Sequence, residues 1–187
     1  MEKHTTNETQ SKRLLEFGVN PDTADMAYEW YLMPDGKMGK RLRVITDFDP
    51  LSSTDTPMWS SYALMKLLPA EIKPKGKNTY SLKEFKRNAG DKGIVYGVSY
   101  TNGEDTFLEY STASEEKFSE VCHDFVDCQV NLLIKLMIDK LLPNDEETKK
   151  NFIKRDEKTV KSFISGELKK IYEPGVQETI ADCFGLK

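Results

Sequence analysis

The sequence has few of the residues from which catalytic and metal-binding sites are built. Its 187 residues include two histidines and three cysteines. An odd number of cysteines cannot pair completely within one chain, so we expect free, reduced thiols and no structural disulfide. His4 lies close to the N-terminus, which leaves too little histidine for a histidine-based catalytic triad. We therefore expect no catalysis, no bound metal and no cofactor.

Long apolar runs are also lacking. No window is long and apolar enough for a membrane span, and the first residues lack the apolar core of a signal peptide. These absences predict a cytoplasmic protein that has no membrane partner. Hydrophobic residues nevertheless make up 38% of the chain, which is sufficient for a packed core and too much for a disordered protein.

Neither sign of charge dominates the sequence. The chain has 27 basic and 31 acidic residues, and its net charge is −4. A protein of negative net charge is not drawn non-specifically to DNA or to an anionic membrane, because its long-range field has the wrong sign. Binding of nucleic acid would therefore need a local basic surface.

Hydrophobic periodicity predicts an α+β fold in two parts. Residues 1–142 are expected to form a helix, a hairpin, a helix, a three-stranded meander and a long helix. Their antiparallel strands would make one sheet of about five strands, with the helices packed on one face. The expected strands are residues 28–33, 41–46, 79–85, 94–100 and 106–110, and the expected later helices are residues 57–68 and 112–142.

Capping residues set the starts of those two helices. Asp55 with Pro57 predicts a helix start, because an oxygen cap followed by proline at the first position is favourable. Thr112 and Glu115 have the spacing of a capping box, which predicts the start of the long helix. Trp59 would then lie in the first turn of the earlier helix and anchor it on the sheet.

Residues 143–187 are expected to form a helical extension. An apolar stripe of helical spacing runs from Val160 to Ile171. We expect this extension to fold back and cover a second apolar stripe of the long helix, which the sheet cannot reach. The alternative is that it pairs with a second copy, so the protein is either a monomer or a homodimer through its C-terminal helices. The stripe to be covered consists of Val126, Val130, Leu133, Met137 and Leu141.

Two groups of residues contain the side chains that metal sites use. Asp47 and Asp49 follow an apolar strand, as the Mg²⁺-binding carboxylates of some phosphatases and transferases do. That strand closes an antiparallel hairpin here, which favours a solvated loop instead. Cys122, His123, Asp127 and Cys128 have suitable ligand types, but the cysteines point about 120° apart on a helix of 100° per residue. No second pair completes a site there.

A basic stretch at residues 73–92 contains interleaved aromatic residues. Such a pattern is typical of single-stranded nucleic-acid binding, but it is also typical of an edge strand whose lysines prevent aggregation. A protein-binding module should instead expose an apolar patch, which we expect near Trp59 or the long helix. The candidate interaction residues from both readings are Trp59, Lys75, Lys77, Tyr80, Lys86 and Arg87.

Two runs carry a resemblance to a known group. Leu-Leu-Glu-Phe-Gly-Val-Asn-Pro-Asp-Thr-Ala-Asp-Met at residues 14–26 and Thr-Pro-Met-Trp-Ser-Ser-Tyr-Ala-Leu-Met-Lys-Leu-Leu-Pro at residues 56–69 resemble small proteins of Bacteroides phages, prophages and related mobile elements. The resemblance covers about residues 12–142, and the extension departs from it. The group has no assigned activity, so it supplies no functional residues. Together with the absence of a recognisable catalytic site, the resemblance favours a non-catalytic accessory protein that binds another protein. A nucleic-acid-binding protein and a metal-dependent enzyme using Asp47 and Asp49 are the alternatives.

Overall fold

The structure, a computed structural model, describes residues 4–112, 122 and 124–152 and has a mixed α+β architecture. Three strands separate its first two helices and four strands separate the second from the third, and 3₁₀ turns occur at Pro21–Thr23 and Gly90–Lys92. The described helices are α1 (Glu8–Glu16), α2 (Ser61–Leu67), α3 (Phe125–Ile138) and α4 (Glu146–Asn151), and the described strands are β1 (Met26–Leu32), β2 (Met38–Val44), β3 (Thr56–Met58), β4 (Glu71–Ile72), β5 (Tyr80–Asn88), β6 (Ile94–Thr101) and β7 (Thr106–Ser111).

The described strands form two antiparallel sheets, so the expected single sheet of about five strands is wrong. One sheet has three strands in the order β2-β1-β3, and the other has four in the order β4-β5-β6-β7. The hairpin β1–β2 pairs with β3 through Met26 and Met58 and does not join the meander. The α+β class is confirmed, and the five expected strands correspond to β1, β2, β5, β6 and β7.

The helix expected at residue 57 begins four residues later. Thr56–Met58 is an edge strand in which Pro57 lies opposite Ala27, a position where proline's missing N–H is tolerated. α2 starts at Ser61, because the Ser60 hydroxyl accepts a hydrogen bond from the backbone N–H of Ala63 at 3.2 Å. The expected cap, Asp55, instead accepts from the backbone N–H of Ser52 at 2.9 Å.

The long helix expected at residues 112–142 is also shorter. Asp124 has an extended backbone and caps α3 through the backbone N–H of Asp127, so no helix runs continuously through residue 124. Thr112 continues the end of β7, where its backbone N–H donates to the carbonyl of Tyr96 at 2.9 Å. The rest of that expectation, including Glu115 of the capping box, lies outside the described residues.

α3 lies in the middle of the core and contacts α1, α2, β6 and β7. Val126, Val130 and Leu133 are fully buried, and Met137 and Leu141 are half-buried. The stripe that the extension was expected to cover is therefore buried or half-buried, and whether the extension covers it stays a prediction. The described start of the extension instead joins the chain after α1, since Phe152 pairs with Val19. Its apolar stripe from Val160 to Ile171 lies outside the described residues.

Candidate functional site

The hairpin of β1 and β2 sorts its side chains into an apolar face and a polar face. Residues directly opposite each other in an antiparallel pair point to the same side of the sheet, and alternate residues along a strand point to opposite sides. The register therefore places four pairs on one face: Met26 with Val44, Tyr28 with Leu42, Trp30 with Lys40, and Leu32 with Met38. Seven of these eight side chains are apolar or aromatic.

Much of the apolar side of the hairpin is exposed to solvent. We define the apolar hairpin face as the five large hydrophobic side chains there that the fold leaves open. They are Trp30 (53% exposed), Leu32 (68%), Met38 (58%), Leu42 (40%) and Val44 (60%). Single exposed hydrophobic residues are ordinary, whereas a contiguous set on one sheet face is typical of an interaction site.

Helix α1 covers only the end of this side that is nearest to β3. Met58, which pairs with Met26, is fully buried, and its sulfur accepts a hydrogen bond from the Ser11 hydroxyl at 3.2 Å. Further along the face, Lys40 Nζ lies 2.6 Å from Glu8 Oε1 and 4.5 Å from the centroid of the Trp30 ring. The salt bridge and the cation–π contact hold Lys40 beside the exposed residues.

The opposite face of the hairpin is polar and is organised by Arg43. The Arg43 side chain is 11% exposed, and its guanidinium lies 3.1 Å from a Glu29 carboxylate oxygen, 3.2 Å from one of Asp49 and 2.6 Å from one of Asp55. It also donates to the backbone carbonyls of Asp49 and Pro50, each at 2.8 Å. Arg43 therefore ties the loop after β2 to the hairpin.

These contacts change the pKa values of Arg43 and Asp55, which form the shortest of the ion pairs. The hydrogen bond to Asp55 is the main cause that raises the pKa of Arg43, and burial opposes it. Burial acts to raise the pKa of Asp55, but the N–H of Ser52 and the guanidinium of Arg43 together outweigh it and lower that pKa. The Arg43–Asp55 ion pair is thus favoured at neutral pH.

The loop with Asp47 and Asp49 has the geometry of a structural turn. Backbone hydrogen bonds join Thr46 and Asp49 in both directions, at 3.2 and 3.1 Å. The Asp49 carboxylate faces Arg43, and Asp47 is exposed. Within the described part of the chain, no three His, Cys, Asp or Glu side chains are grouped so that they could hold a metal ion.

The second candidate metal group, at residues 122–128, has side chains that make other contacts. Asp127 accepts a hydrogen bond from the Gln10 side chain, which joins α3 to α1. Cys122 and Cys128 are buried, and a hydrogen bond to Cys122 together with burial raises the pKa of the Cys128 thiol. Both are free thiols. His123 and the third cysteine, Cys183, lie outside the described residues.

The basic stretch does not form one continuous surface. Lys86 and Arg87 are neighbours on β5, so they point to opposite faces of the four-stranded sheet. Tyr80 is 4% exposed and is not available for stacking on a base. Lys75 and Lys77 are exposed in the loop before β5. The side chain of Lys92 lies outside the described part.

Two positively charged side chains of this stretch, Lys86 and Arg87, also contact neighbouring residues of the same sheet. Arg87 lies 2.8 Å from Glu109 Oε1 and 4.8 Å from the centroid of the Phe85 ring. Lys86 Nζ lies 5.1 Å from the centroid of the Tyr96 ring. A nucleic-acid site combines a charged groove with exposed aromatic platforms, and here Lys86 and Arg87 contact aromatic and acidic neighbours on opposite faces of the sheet.

Trp59 is fully buried, so its expected place in an interaction surface is wrong, although its burial is confirmed. It precedes α2, and its indole N–H donates to the Thr23 hydroxyl at 2.9 Å. The sequence did contain a signal for the face that is exposed. Apolar residues alternate in both strands of the hairpin, but an alternating pattern shows only that a face is apolar and not whether another layer covers it.

Comparison with known proteins identified no relative of this chain. The chain matches no protein-family model, no curated protein and no solved structure with which it was compared. Among the described helices, none combines the length and the hydrophobicity that crossing a membrane requires.

Proposed function

We propose that this protein is a non-catalytic accessory factor that binds another protein through the apolar hairpin face. The observation that carries the proposal is the exposure of five large hydrophobic side chains on one side of β1 and β2. Leaving such side chains in water forgoes roughly 1.5–3 kcal/mol for each that a partner could bury completely. A partner that covers the face recovers part of this free energy.

The charge of the hairpin supports a partner with acidic flanks. Lys40 lies on the apolar hairpin face and Lys37 lies in the turn at its end, whereas Arg41 and Arg43 lie on the opposite face. Complementary charge raises the association rate and orients the partner. The expected occupant is therefore an apolar stripe bordered by Asp or Glu on a different protein.

The dimensions of the face fit an amphipathic helix. Each strand has seven residues, a length of about 23 Å at the usual rise per residue. A helix of about 15 residues has this length, and its width of about 10 Å matches a two-stranded ribbon. Packing of a helix on an apolar sheet face is a common way of completing a core.

The resemblance of residues 14–26 and 56–69 supplies the proposed biological setting. A protein encoded by a Bacteroides phage, prophage or related mobile element would act in the host cytoplasm, and its partner would be a host or element protein. The nucleic-acid alternative is less well supported, because Tyr80 is buried and Lys86 and Arg87 point to opposite faces.

Two synthetic amphipathic peptides test the partner chemistry. Both carry the same apolar stripe, bordered by Glu in one peptide and by Lys in the other. Of the two tryptophans, Trp30 is half-exposed and Trp59 is buried, so a blue shift of the emission on titration reports occupation of the face. We expect saturable binding of the Glu-bordered peptide and weaker binding of the Lys-bordered one.

A matched pair of variants controls this experiment. Leu32→Ser changes the apolar hairpin face, and Ile94→Ser changes another exposed hydrophobic residue (56%) on the four-stranded sheet. We expect the first variant to weaken peptide binding and the second to leave it unchanged. Equal loss in both variants, or preference for the Lys-bordered peptide, would contradict the proposal.

A further inference from the structure

A second feature of the molecule is a pocket between the Pro21–Thr23 turn, the start of β1 and helix α2. Its volume is about 310 Å³, and Asn151 at the end of α4 closes one side. Ligand pockets span about 300–1,000 Å³, so this one suits a small molecule. It is separate from the apolar hairpin face, and the inference below does not depend on the proposed function.

Two residues of opposite charge, Asp25 and Lys66, line this pocket and form no ion pair with each other. The half-buried Asp25 carboxylate accepts hydrogen bonds from the backbone N–H and the hydroxyl of Ser60, but it has no ion pair with any described residue. Lys66 Nζ lies 4.3 Å from the centroid of the Tyr62 ring and likewise has no carboxylate partner in the described part. Each Asp25 oxygen accepts one of these hydrogen bonds and has a second acceptor position left, to which a bound ammonium group could donate.

The rest of the pocket is mainly apolar, with one polar side chain. Ala63 and Leu67 are buried and form its α2 side, and the ring of Tyr62 stands beside them, 68% exposed. The side-chain amide of Asn151 has no hydrogen bond with any described residue and can donate or accept. The pocket thus offers an anion, a cation, an amide and a short apolar wall.

We propose that this pocket binds a free α-amino acid with an apolar side chain. The ammonium group of the ligand pairs with Asp25, and its carboxylate pairs with Lys66. The side chain packs on Leu67 and Ala63 next to the Tyr62 ring. A ligand with only one of the two charges leaves either Asp25 or Lys66 without a partner, so a zwitterion is favoured over a simple amine or acid.

Calorimetric titration of the full chain tests this assignment. The probes are L-leucine and L-phenylalanine, with isopentylamine and 4-methylpentanoate as analogues of leucine that each lack one charged group. We expect saturable binding of at least one amino acid and binding about tenfold weaker for each analogue, the loss typical of one charge-assisted hydrogen bond. Absence of saturable binding by either amino acid up to about 10 mM would overturn the proposal.

A variant at the rim separates the ligand site from a structural role. Lys66→Met keeps the aliphatic stem and removes the charge, and because residue 66 is exposed the variant is expected to fold. We expect it to weaken leucine binding about tenfold while leaving isopentylamine binding unchanged. The control Lys73→Met removes an exposed charge outside the pocket and should leave both affinities unchanged. Equal leucine affinity in Lys66→Met and the unmodified chain would contradict the assignment.

Discussion

The indole N–H of Trp59 donates a hydrogen bond to the hydroxyl of Thr23 at 2.9 Å, although the two residues are 36 positions apart. This bond joins the two stretches, residues 14–26 and 56–69, on which the proposed resemblance rests. The Asp25 carboxylate and Ser60 make a second link between them. The two stretches therefore form one structural unit, which supports the base of the hairpin and borders the pocket.

Loss of the Trp59 side chain should be strongly destabilising. Trp59 is fully buried, so we expect Trp59→Ala to lower the free energy of unfolding by about 3–5 kcal/mol. Chemical denaturation measures this change. Trp30→Ala is the matched control, since Trp30 is 53% exposed, and it should cost about 1 kcal/mol. A change below about 1 kcal/mol for Trp59→Ala would mean that the residue is not in the core.

The accessibility of the two tryptophans can be measured directly. Acrylamide quenching of the native protein should show one accessible and one protected fluorophore, because Trp30 is exposed and Trp59 is not. Trp30→Phe should leave only the protected fraction. An accessible fraction that persists in Trp30→Phe would show that Trp59 reaches solvent and that the apolar hairpin face is not the source of the signal.

The Arg43–Asp55 pair should contribute to stability above about pH 4 and lose its contribution in acid. The folded-state pKa of Asp55 is lowered, while an unfolded aspartate has a pKa of about 3.9. The unfolded chain therefore takes up a proton first as the pH falls, and the stabilisation disappears as the pH passes through the folded value. Denaturation of the unmodified chain and of Asp55→Asn at several pH values measures this.

The difference in unfolding free energy between those two chains should be largest near neutral pH and shrink below about pH 4. At pH 7, Asp47→Asn is a control for the loss of a loop carboxylate, and it should change stability by less than about 0.5 kcal/mol because Asp47 is exposed. A difference between the unmodified chain and Asp55→Asn that grows as the pH falls would contradict the assigned direction of the shift.

Gly97 should not tolerate a side chain. A Cβ atom at this position of β6 would overlap Cζ of Phe85 and would lie 2.5 Å from the backbone oxygen of Tyr110. Gly97→Ala should therefore lower the free energy of unfolding by about 1–3 kcal/mol. The double variant Gly97→Ala with Phe85→Ala is expected to recover little, because the Tyr110 oxygen cannot rotate away. Full recovery would show that only the Phe85 ring sets the limit.

Local patterns predicted the strands of the meander and the hairpin closely, because the alternation of apolar and polar residues is a property of short segments. They failed where a distant partner decides the structure. Pro57 looks like the start of a helix, but pairing with Ala27, thirty residues earlier, makes it part of an edge strand. The expected helix across residue 124 is wrong for a local reason, since Asp124 adopts an extended conformation and caps α3 through the N–H of Asp127.

The candidate surface was missed because exposure depends on packing between layers. The sequence indicates that Trp30 and Leu42 share an apolar side of a hairpin, but a helix on that side would have buried them. Only the structure shows that α1 reaches Met58 and Lys40 and leaves Leu32 and Val44 open. The sequence allowed two roles for Trp59, a core residue or a contact for a partner, and its burial favours the core.

The central claim is that the apolar hairpin face binds another protein through an acid-bordered apolar stripe. Its most direct test is photo-crosslinking in the native host, with a benzophenone amino acid placed at Leu32 in one chain and at Ile94 in another. We expect the Leu32 position alone to crosslink one defined protein, at an apolar segment flanked by Asp or Glu. The same products from both positions, or attachment at basic or wholly polar segments, would contradict the account.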